Sequence, residues 1–118
     1  MDETTNISVT DSILNSTKKI LGLDASYDTF DVDIITHINS VFSVLTQLGV
    51  GPREGFAISD ETAVWTDFLH DNVRLNIVKS YMYAKVRIMF DPPTSATVMQ
   101  ALNDTIKEFE FRANIEVN

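Results

Sequence analysis

Between Asn72 and Phe90 the chain carries a helical pattern that is apolar over most of its circumference, and it stops abruptly at Asp91-Pro92-Pro93. Leu75, Val78, Met82 and Met89 fall on one side of that helix, and Ile77, Tyr81, Ala84 and Ile88 on another. A helix that is apolar on several sides needs neighbours on several sides, so this one is predicted to stand at the centre of the fold. Asp71 or Asn72 is its expected N-cap. Pro92 disfavours the α conformation at Asp91, and Pro93 removes a second N–H, so the helix must end near Phe90. Thr94 or Ser95 then caps a final helix with Val98, Met99, Leu102, Ile106 and Phe109 as its face. Phe90, Asp91, Pro92 and Pro93 are therefore read as a rigid structural corner between two packed helices.

The rest of the chain supplies the neighbours. Residues 1–9 read as a flexible tail and residues 10–118 as one helical domain. A short helix starts with Thr10 or Asp11 as N-cap, has Ile13, Leu14, Ile20 and Leu21 as its apolar face and Lys18 and Lys19 in its last turn, and ends at Gly22. After the acidic turn LDASYDTFDVD, the clearest helix runs from Asp31 to Leu48, with Ile34, Ile38, Val41, Leu45 and Leu48 at alternating spacings of four and three. Ile35 and Phe42 widen that stripe, and Gly49 suits the position just past the end. The segment GVGPREGFAISDE is a long loop in which Phe56, Ala57 and Ile58 could extend briefly. Asp60 caps a short helix bearing Ala63, Val64, Trp65, Phe68 and Leu69. The fold class is all-α: a compact bundle of about four to five helices, with one long loop between the second and third.

Function is bounded more by what is missing. The 118 residues contain no cysteine, which excludes thiol catalysis and Cys-ligated metal. Seventeen Asp and Glu against nine Lys and Arg give a net charge of -8, which opposes tight binding to nucleic acid or an anionic membrane. The polar, acidic start MDETTNISVTDS has no signal-peptide pattern, and no apolar run is long enough to span a bilayer, so synthesis and use in the cytoplasm are expected.

No chemistry can be composed from the remaining residues. His37 and His70 have no second ligand at metal spacing and read as a partly buried and a surface histidine. Asp24, Ser26 and Asp28 imitate the start of a calcium loop, but Thr29 replaces the required glycine and Ile35 the bidentate glutamate. The glycines of GVGPREG lack phosphate-loop spacing. With no nucleophile–base–orienter set, the chain is read as a non-enzyme without cofactor or metal. Trp65, Phe68 and Tyr81 are candidate core or interface residues. Lys85 and Arg87 read as a solvated or ion-paired strip, with an acidic surface on a neighbouring copy as the sharper alternative.

Three phrases in fixed order carry a resemblance: D-x-x-I-x-x-H-I-N-S at Asp31 to Ser40, W-x-D-F at Trp65 to Phe68, and F-D-P-P at Phe90 to Pro93. Over about residues 12 to 113 the chain resembles the head–tail connector proteins of long-tailed phages and of prophages in Gram-positive bacteria. That resemblance implies a structural virion protein, made in the host bacterial cytoplasm, that assembles as a ring of dodecameric type. Its implied partners are the portal protein on one side and a tail-side connector or completion protein on the other, with the genome passing through without specific binding. The tail and the loop Gly49 to Ser59 would be segments that order on contact with them. An acidic helical adaptor that binds one bacterial protein is the alternative.

Overall fold

The computed structural model describes residues 11–117, with side chains to Ala113. Five helices follow in order: α1 (Ile13–Ile20), α2 (Asp31–Gln47), α3 (Trp65–Phe68), α4 (Asn72–Phe90) and α5 (Ala96–Val117). The architecture is all-α. The tail expected at residues 1–9 lies outside the described residues.

α4 is the centre. It packs against α1, α2 and α5, burying Leu75, Val78, Tyr81, Met82, Ala84 and Val86. The Asp71 carboxylate caps it, accepting from the backbone N–H groups of Val73 and Arg74. At its other end Asp91 leaves helical geometry with φ -149° and ψ 74°, away from the α conformation that a following proline disfavours. The Ser95 hydroxyl accepts from the Val98 N–H and opens α5, as the sequence suggested. Two expected core positions are surface instead: Ile77, in the groove between α4 and α5, and Met89, one residue before the end of α4, stay substantially exposed. Val98 near the start of α5 is also exposed, whereas Phe109 and Ala113 further along it are buried.

α2 buries Ile34, Ile38, Val41, Phe42 and Leu45, following the expected stripe. Gly49, at φ +83°, turns the chain out of it.

α1 departs further from expectation. Its N-cap is Ser12, whose hydroxyl accepts from Asn15 N–H while donating to the Glu61 carbonyl. Ile13 and Leu14 are buried, but Ile20 is exposed, and the inward face continues through Ser16, Thr17 and Lys18. The helix is rotated because Ser16 and Lys18 find partners inside, as set out below.

The segment before α3 is zipped to the start of α1. Ile13 N–H donates to the Ala63 carbonyl and Trp65 N–H to the Asp11 carbonyl, making an isolated bridge between Ser12 and Val64. Asp60 therefore caps a turn at Thr62 rather than a helix, and the helix starts later, at Trp65. The brief extended stretch suggested at Phe56 to Ile58 is irregular backbone.

Candidate functional site

Of the three phrases singled out in the sequence, the first two pack into the interior and the third makes a corner at its edge. In the first, Asp31 reaches the Lys18 ammonium at 2.9 Å, and that ammonium also donates to the Ala25 carbonyl at 2.9 Å. Lys18 is fully buried, so a positive charge closes the acidic turn between α1 and α2. Ile34 and Ile38 are core. His37 stands edge-on to Phe90, with ring centroids 6.5 Å apart. Asn39 uses both ends of its amide on one residue: Oδ1 accepts from Ile58 N–H at 2.8 Å and Nδ2 donates to the Ile58 carbonyl at 3.0 Å. That pair pins the long loop to α2, which buries Ile58.

In the second phrase, the Trp65 indole N–H donates to the Ser16 hydroxyl at 3.0 Å, inside the core. Asp67 turns back to accept from Val64 N–H, closing the first turn of α3. Phe68 packs on Phe42 and Phe56, with centroids 4.7 and 5.4 Å away.

In the third, Phe90 lies edge-on to Phe30 at 5.4 Å, and Phe30 meets Tyr27 at 5.9 Å. The Arg87 guanidinium donates to the Asp91 carbonyl at 2.6 Å, satisfying a group that the proline break would leave without a helical donor. Asp91 and Pro92 are exposed and Pro93 is half-buried. The corner thus ties the end of α4 to the beginning of α2.

Of the remaining candidates, Trp65, Phe68 and Tyr81 are buried and stand in the core. Tyr81 stacks on Phe109 at 4.3 Å and donates to Glu110 at 2.8 Å. Burial, followed by the hydrogen bond and the charge of Glu110, pushes its hydroxyl far above the ordinary tyrosine range. The Lys85 ammonium lies 5.9 Å from the Tyr81 ring, so Lys85 and Arg87 both have contacts within the chain. Sequence reading leaves Ser16 unmentioned, places Lys18 in the last turn of α1 without a buried partner, and carries Asn39 only as one letter of the first phrase. The available signal was a polar residue inside an apolar stripe, which is ambiguous until its partner is known.

A shallow groove runs between α4 and α5, lined by Asn76, Ile77, Tyr81, Glu108, Phe109 and Arg112. It adjoins a small pocket of about 80 Å³ that adds Val50, Arg74 and Ala113. Among the described residues no group of three His, Asp or Glu side chains could hold a metal ion, and no helix is long and apolar enough to cross a membrane. Asp24 and Asp60 have carboxyls held below the usual range by hydrogen bonds from Ser26 and Thr62 respectively, as in ordinary solvated turns.

Neither the curated proteins nor the solved structures contain a match to this chain. A family model described as phage connector protein does match, over residues 13–118. That span takes in all five helices and all three phrases whose packing is described above. The chain belongs to the phage connector proteins, a family of structural head–tail components.

Proposed function

We propose that this chain is one subunit of a ring set between the capsid portal and the tail, through which the genome passes. The observation that carries the reading is the family match across residues 13–118. The packing supports it, because the three phrases described above brace one element against another and give the subunit a fixed shape. A ring repeats one interface many times, so small errors in subunit shape accumulate around it. In this reading the chain makes and breaks no bond. Its partners are the portal on one face, a tail-side completion protein on the other, and its own copies at the flanks. The ring is of dodecameric type, and the chain is made in the host cytoplasm and carried in the virion. The loop Gly49 to Ser59 is proposed to meet one of the axial partners.

The test is assembly. Light scattering over a concentration series, with negative-stain images, is expected to show closed rings of the protein alone or on purified portal. A chain that remains monomeric in both conditions, and that does not co-sediment with portal, would sink the reading and favour a small acidic adaptor.

A further inference from the structure

The largest exposed apolar side chains are not scattered evenly. Phe111, on the outer side of α5, is 67% exposed, the most of any described aromatic. No described ring lies against it. Lys107, one turn earlier on the same helix face, is exposed and has no ion-pair partner among the described residues. At the corner, Tyr27 and Phe30 are 45% and 37% exposed and continue through Phe90 as a line of edge-on rings. Asp28 and Asp91 flank that line, both exposed and neither ion-paired among the described residues.

We propose that the aromatic line Tyr27–Phe30–Phe90 of one subunit receives the Phe111–Lys107 face of α5 from a second copy of this chain. The proposal rests on the ring reading and deepens it by naming the flank contact. Charge complementarity selects the occupant. Two copies of a chain with net charge -8 repel, so a contact in which a local cation faces local carboxylates is favoured over one between acidic faces. Most other cations are already committed: Lys18 is buried on Asp31, Arg87 holds the Asp91 carbonyl, Arg112 pairs with Glu108, and Lys79 and Lys85 lie over rings. Lys107 is, among the described residues, a cation without an ion-pair partner beside a large exposed aromatic, and the two carboxylates on its face are engaged within the helix, Glu108 by Arg112 and Asp104 by the Gln100 amide.

Geometry makes the contact intermolecular. Arg74 and Arg112 line one pocket, so the second half of α5 lies beside the start of α4. Phe109, two residues from Phe111, stacks on Tyr81, and Phe90 ends α4 nine residues beyond Tyr81, about 14 Å at 1.5 Å per residue, so one subunit does not bring its own two patches together. Two different, complementary patches on one subunit make a head-to-tail contact, the kind that closes into rings.

The chain's lack of cysteine makes the test direct. Single variants Thr29→Cys and Asp104→Cys place thiols beside the two patches without removing Phe30 or Phe111. Under mild oxidation, a 1:1 mixture should form heterodimers faster than either variant forms homodimers, and the double variant should form a ladder of multimers. Adding Phe111→Asp should slow heterodimer formation by about tenfold or more, as truncating a central anchor does. Helical circular dichroism of each variant checks that it is folded. Predominant homodimers, or a heterodimer rate indifferent to Phe111→Asp, overturn the proposal. Light scattering of the unmodified chain separates the two failures. Rings without the cross-link discard this contact and keep the ring, whereas a monomer without cross-links discards both the contact and spontaneous ring closure.

Discussion

Lys18 is a charged side chain with no exposure, and its ammonium answers two oxygens, from Asp31 and Ala25. A buried charge that loses its partner is costly, whereas removing both partners together can be nearly neutral. Lys18→Met should therefore lower stability by about 2 kcal/mol, less than for a fully buried pair because Asp31 keeps some contact with water. Adding Asp31→Leu should recover part of the loss in urea unfolding, and a double variant as weak as the single would contradict this account. Gly51 is tied to its place more simply. It sits at φ +87°, and an added Cβ would run into the Phe68 ring. Gly51→Ala should cost about 1–3 kcal/mol, read as a lower urea midpoint with unchanged slope. Tyr81 gives a pH dependence of known sign. Its hydroxyl ionises well above 10.0 in the folded chain, whereas in the unfolded chain it ionises near that value. Its contribution is fully present below pH 10 and is lost as pH rises beyond it. Urea midpoints from pH 7 to 11 should fall more steeply at the alkaline end for the parent than for Tyr81→Phe. Tyr83, also raised by burial, leaves a residual slope in both.

At the scale of the elements, what could be read from sequence follows from how local each signal is. The stripe of α2, the Asp71 cap and the stop at Asp91-Pro92-Pro93 all depend on residues within a few positions of one another, and all three lie where the pattern put them. The rotation of α1 depends on Ser16 meeting Trp65 and Lys18 meeting Asp31, contacts that periodicity cannot see, so Ile20 was assigned inward and lies outward. The start of α3 was misplaced for a related reason, since the backbone of residues 63–65 is bonded to residues 11–13 instead of continuing into a helix. The phrases at the candidate site were legible as words before their work was: Asn39 holding both polar groups of Ile58 could not be inferred from its spacing. The corner itself yields a prediction at this scale. Replacing Pro92 and Pro93 by alanine frees the unfolded chain and relaxes the restriction on Asp91, at a cost of about 0.4–1 kcal/mol for each proline. Phe90 would still hold α4 to α2 through Phe30. The loss should therefore concentrate in α5, seen as faster amide exchange there and little change in α2. Uniform acceleration through both helices would mean the prolines brace the whole core.

For the molecule as a whole, the relation between charge and cargo can be tested without knowing the number of subunits. The described body measures 46 × 35 × 22 Å, and the chain carries a net charge of -8. Its few cations are mostly turned to internal duties, on Asp31, on the Asp91 carbonyl, on Glu108 and over the rings of Trp65 and Tyr81. Such a surface offers DNA phosphates little chance to exchange counterions for protein cations, and that exchange is what drives non-specific binding. A subunit of the proposed ring should therefore leave duplex DNA unshifted in a gel at physiological salt, and lowering the salt should not produce a complex. The absence of attraction has a mechanical sense in that setting, because a lumen that held the phosphates would resist passage of the genome, while a repelling wall keeps the duplex centred. A salt-dependent complex would mean that Arg53, Lys107 or their neighbours gather into a basic track, and a sliding channel would then have to give way to one that grips.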